Sequence, residues 1–113
     1  MRSKSVQTYL LDIRHHIALA DAFVSGMDYP AFRDDTRTHY AVTRCLEIIS
    51  EASRRLPDDL KARHPAIPWK QIAGAGNIYR HDYEDVAQHD VWVAVMRDLP
   101  PLLAVIEQEL ENP

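Results

Sequence analysis

Apolar residues recur along this chain with helical spacing. Val6, Leu10, Ile13, Ile17, Ala20 and Val24 follow one another at alternating intervals of four and three, so they share one face of a helix that stops near Gly26. Val42, Leu46, Ile49, Ser53 and Leu56 repeat the pattern. Asp34, Asp35 and Thr36 stand ahead of that run as caps or first-turn acids, and Pro57 ends it. Residues 57–68 hold three prolines and several charges and predict the one substantial loop. Pro68 suits the first turn of a third helix, from Trp69 to about His81. A last helix is expected from about Gln88 to Leu110, with Trp92, Val95, Leu99, Leu102, Ile106 and Leu110 in register. Pro100-Pro101 must kink or split it, because each proline removes a donor and clashes with the turn before it. No segment sustains period-two alternation, so no sheet is expected. The expected fold is all-α: an antiparallel helical bundle of about four to five helices with a Pro-kinked last helix, in a single domain over residues 1–113.

Composition narrows the class. A chain of 113 residues builds one core, and 46% hydrophobic with 27% charged residues is ordinary for a globular domain. No apolar run approaches the roughly 20 residues that span a bilayer, and Met1-Arg2-Ser3-Lys4 lacks the apolar segment of a signal peptide. Cys45, the single cysteine, cannot form an internal disulfide. A cytoplasmic protein without membrane association is expected. Cys45 sits within a helical apolar pattern and is expected to be buried and inert. The net charge of −4 argues against a general nucleic-acid coat protein. Its distribution is more telling. From Arg54 to His81 there are six Lys/Arg (Arg54, Arg55, Lys61, Arg63, Lys70, Arg80) against Asp58 and Asp59, while from Asp82 onward eight acids face Arg97 alone. A local basic stretch suits a phosphate-handling site, although a solvated surface has the same pattern.

The candidate chemistry lies where the basic stretch ends. Asn77 and His81 are four residues apart, one turn apart on one helical face. An amide and an imidazole presented together can hold a phosphate oxygen and move a proton near neutral pH. Tyr83 adds a phenol two residues on. Taken singly, such a histidine more often satisfies a carbonyl or faces solvent, and such a tyrosine more often packs. Gly74 and Gly76 each cost a helix about 1 kcal/mol relative to alanine. They imply either close approach by a helix, subunit or ligand, or a broken helix. Asp12 and His16, also four apart, lack the repeated Glu-x-x-His of a carboxylate-bridged metal site, so neither metal nor cofactor is expected. Glu47 and Glu51 are expected to pair with arginines such as Arg44 or Arg55. The phosphate-cradling Gly-x-x-x-x-Gly-Lys, Gly-x-Ser-x-Gly and Cys-x-x-Cys motifs are absent.

The run Asn77-x-x-x-His81-x-Tyr83 resembles the signature of HEPN-domain proteins of the HepT type, Arg-Asn-x-x-x-His-x-Tyr, with Gly76 where that family carries arginine. Tyr9-Leu10-Leu11-Asp12-Ile13, Gly26-Met27-Asp28-Tyr29 with Phe32, and Leu46-Glu47-Ile48-Ile49-Ser50-Glu51-Ala52 resemble the opening of that family. Pro65-x-Ile67-Pro68-Trp69-x-x-Ile72-Ala73-Gly74 and Val91-Trp92 through Asp98-Leu99-Pro100 resemble its second half. The resemblance implies an all-α, typically dimeric bundle, the toxin of a toxin–antitoxin pair. It implies a metal-independent endoribonuclease acting on RNA, neutralised by a minimal nucleotidyltransferase that transfers AMP to the motif tyrosine. By position the histidine maps to His81, the asparagine to Asn77 and the modified tyrosine to Tyr83. Loss of a well-placed cation can cost about 3–4 kcal/mol of transition-state stabilisation. Arg80 lies four residues after Gly76, and helical side chains lean toward the N-terminus, so Arg80 is a candidate to supply the guanidinium; pairing with Glu84 is the other use for it. Three readings stay open: the ribonuclease toxin, a catalytically silent HEPN module that binds RNA or the partner, and a purely structural helical dimer.

Overall fold

The structure, a computed structural model, describes residues 4–81 and 84–112, with side chains over 5–75 and 87–112. Its helices are α1 (Lys4–Val24), α2 (Tyr29–Asp34), α3 (Thr36–Arg54), α4 (Asp58–Ala62), α5 (Trp69–His81), α6 (Glu84–Val93) and α7 (Leu99–Glu111), the last two joined by a π-helical turn, Ala94–Asp98. The described residues contain no strand, and the fold is an all-α bundle. α3 lies at the centre, against α1 on one side and α5 on the other, and α1 also packs on α7. The apolar stripes face inward together: Leu10, Ile13 and Ile17 of α1, Val42 and Ile49 of α3, and Leu102 and Ile106 of α7 are all at most 2% exposed. Each such side chain contributes on the order of 1.5–3 kcal/mol through burial.

The helix ends follow local chemistry. Gly26 takes φ +79°, the left-handed conformation that closes α1, and the Met27 N–H returns to the Val24 carbonyl at 2.9 Å. Asp35 is the N-cap of α3, accepting from the Thr38 N–H at 3.1 Å, and that bond holds its carboxyl below the usual range. Cys45 is buried, and burial raises its thiol pKa.

Three details differ from the sequence pattern. α2 is an extra helix, capped by Asp28, whose carboxylate accepts from the Ala31 N–H at 3.0 Å. It exists to deliver Phe32, fully buried against Trp92 with ring centroids 5.3 Å apart. α4 forms inside the expected loop because Leu60 has a core site to fill and Asp58 and Asp59 suit a first turn. The last helix begins at Glu84, ahead of the expected Gln88, and Pro100-Pro101 splits it without a loop. The Leu99 N–H reaches back five residues to the Ala94 carbonyl, and the widened turn places both prolines in the first turn of α7, where a missing N–H costs nothing.

A half-buried charge cluster ties the residues between α4 and α5 to the end of α7. The Glu109 carboxylate accepts two bonds from Arg63, at 2.8 and 3.2 Å, and one from His64 Nε2 at 2.6 Å. Arg63 first, then His64, hold the Glu109 carboxyl down at about 2.

Candidate functional site

α5 carries Asn77, Arg80 and His81, and several bonds set its position. The Pro68 carbonyl accepts from the Ile72 N–H at 3.0 Å and opens the helix. Trp69 Nε1–H donates to the carbonyls of Lys61 and His64, both at 3.1 Å, fixing the entry angle. From α3, Ser50 Oγ–H and Arg54 Nη1–H both donate to the Ala73 carbonyl, each at 2.8 Å. Two side chains one turn apart on α3 thus grip one carbonyl of α5, just before the glycines.

α5 runs unbroken through Gly74 and Gly76 to His81, so Asn77 and His81 stand one turn apart on one helical face, as their spacing predicts. A Cβ built at Gly74 would meet nothing within 4 Å, so no neighbour among the described residues requires the glycine. Its effect is a bare strip of helix, open to an approaching molecule. The side chains of Asn77, Arg80 and His81, and the whole of Tyr83, lie outside the described residues.

The surroundings sort the charges. Glu51 is shared by Arg54 and by Arg55, the latter at 3.1 Å, and these bonds lower its pKa, with Arg54 the larger cause. Glu47 pairs with Arg44 at 3.8 Å. Both acids are therefore engaged by arginines, as expected. His16 Nδ1 lies 2.7 Å from the Asp12 backbone carbonyl. A cavity of about 510 Å³ opens between α3, α5 and the α6–α7 rod, floored by Leu46, Ile49, Ile72 and Ala75. Its lining includes Asp90, Arg97 and Asp98, and Asp98 accepts from Arg97 at 2.9 Å. That lining is net acidic, whereas the junction of α3 with α5 is net basic.

Ser50 and Arg54 are the site-positioning residues that spacing did not single out. Arg54 carried a signal as the first member of the basic stretch; Ser50, beside Ile49, carried none. No helix among the described residues is long and apolar enough to cross a membrane.

Comparison with known proteins gives a consistent picture. Residues 13–109 match the family described as ribonuclease HepT-like. A protein of Thermococcus cleftensis, provisionally named ribonuclease HepT, is 37% identical over 105 residues, covering 93% of this chain and 96% of its own length. Two proteins of Methanocaldococcus jannaschii, provisionally named RNases, are similar at 34% identity over 107 residues, covering 95% of this chain and 98% of the relative, and at 30% over 112 residues, covering 99% and 97%. No solved structure matches the chain.

Proposed function

Since this chain belongs to the ribonuclease HepT-like family, we propose that it is the toxin of a cytoplasmic toxin–antitoxin pair, a metal-independent endoribonuclease that works as a homodimer. The observation that carries the reading is the unbroken α5, which presents Asn77 and His81 from successive turns behind a strip bare at Gly74. Cleavage of RNA through its own 2′-hydroxyl needs a proton taken from the attacking oxygen and one given to the leaving oxygen. His81 is the group suited to proton transfer near neutral pH. Asn77 donates to a phosphate oxygen, and Arg80, one turn after Gly76 in sequence, supplies a guanidinium for the crowded phosphate. Pairing two copies through the glycine strip puts two such faces in one groove.

A partner nucleotidyltransferase neutralises the toxin by adding AMP to Tyr83. The phenol follows His81 by two residues, so the added group introduces negative charge where RNA phosphate would sit. Gly76, in place of the family arginine, favours a second reading: a silent module that binds RNA or the partner without cleaving.

RNA cleavage by the purified protein in the presence of a chelator separates the two. Cleavage lost in both His81→Ala and Arg80→Ala, with circular dichroism unchanged, supports the toxin reading with Arg80 in the arginine's role. Cleavage undiminished in Arg80→Ala removes that role. An inactive wild type that gains activity as Gly76→Arg identifies the silent module.

A further inference from the structure

We propose that the junction of α3 and α5 is a binding position for an RNA phosphodiester, with Arg54 as the group that holds it. The proposal rests on the RNA-directed reading above and adds a residue outside the motif helix. Its basis is geometric. Arg54 Nη1 lies 2.8 Å from the Ala73 carbonyl oxygen. Helix carbonyls point toward the C-terminus, and Ala73 and Asn77 are one turn apart, about 6 Å along the axis. The guanidinium therefore lies beside the turn that begins at Gly76, on the stripe shared by Ala73 and Asn77.

Its chemistry also fits an anion. The bonds to Ala73 and Glu51 engage two of the five N–H donors that a guanidinium carries. The Arg54 side chain is 40% exposed, whereas Ser50, which holds the same carbonyl, is buried. Charge balance points the same way. Arg33 and Arg97 each have an adjacent carboxylate, Asp34 and Asp98, and Arg63 has Asp59 and Glu109. Arg54 and Arg55 divide Glu51 between them, which leaves a net positive charge at this junction. Lys70, exposed on α5 and seven residues before Asn77, lies on the same stripe and extends the basic track. A planar fork of this kind suits a phosphate better than a point charge does. The acidic lining of the neighbouring cavity does not offer such a site.

The test uses a fluorescent 2′-O-methyl oligoribonucleotide, whose blocked hydroxyl prevents cleavage, and reads binding by anisotropy over a range of salt concentrations. Arg54→Gln removes the charge and, being two atoms shorter, the bond to the Ala73 carbonyl. It is expected to weaken binding about tenfold and to reduce the slope of log K against log salt by about 0.7, one single-strand phosphate contact. Ser50→Ala removes the other bond to the same carbonyl without changing charge, and its slope is expected to equal that of the wild type. An unchanged slope in Arg54→Gln, or an equal drop in Ser50→Ala, overturns the proposal. Wild-type cleavage of ordinary RNA together with an unchanged Arg54→Gln slope overturns it alone. A wild type that neither binds nor cleaves RNA overturns it along with the RNA-directed reading.

Discussion

Replacing Glu109 by glutamine removes one charge from the cluster that fastens the end of α7 to the residues after α4. The Glu109 side chain is 6% exposed, and it accepts from Arg63 at 2.8 and 3.2 Å and from His64 at 2.6 Å. Its carboxyl ionises at about 2 in place of the usual 4.5. A difference of that size corresponds to about 3 kcal/mol of folding stability at pH 7. Arg63 is 50% exposed, so solvent screens part of the interaction, and about 2 kcal/mol is the expected loss. The sign follows from the lowered folded-state pKa. The carboxylate's contribution is complete above 4.5, the unfolded value, and disappears as the pH falls toward 2. Glutamine has the shape of a protonated glutamate, so the two proteins should converge in acid. Urea denaturation followed by far-UV circular dichroism, at pH 7 and again near pH 3, where under half of the contribution remains, measures the decline. A loss below about 0.5 kcal/mol at pH 7, or a loss of the same size near pH 3, refutes the assignment of this stability to the Glu109 charge.

Gly26→Ala places a Cβ at φ +79°, and a loss of about 1 kcal/mol, or a Tm lower by about 4 °C, should be seen by thermal denaturation. Sedimentation equilibrium at micromolar concentration should give twice the mass of one chain; a monomer removes the shared-groove arrangement. Intact mass after co-expression with the cognate nucleotidyltransferase should show added AMP on the wild type and none on Tyr83→Phe. An unmodified wild type would mean inhibition by complex formation alone.

What the sequence determined by itself was local. The intervals of three and four from Val6 to Val24, and from Val42 to Leu56, are the repeat of the helix, and they mark α1 and α3 with their buried faces. Asn77 and His81 could be placed one turn apart for the same reason, since the pitch depends on the backbone alone. The helices α2 and α4, of 6 and 5 residues, are too short to show a period, and they form because Phe32 and Leu60 have core sites to fill. Pro100-Pro101 announced an interruption in the last helix, but whether it became a bend, a loop or a π-helical turn depended on keeping Leu99 and Leu102 in the core. The grip of Ser50 and Arg54 on Ala73 spans 23 and 19 residues, and that of Arg63 on Glu109 spans 46. Only tertiary structure could decide these pairings. A side chain's reach is set by its own chemistry, but its partner is set by which helix faces the apolar core brings together.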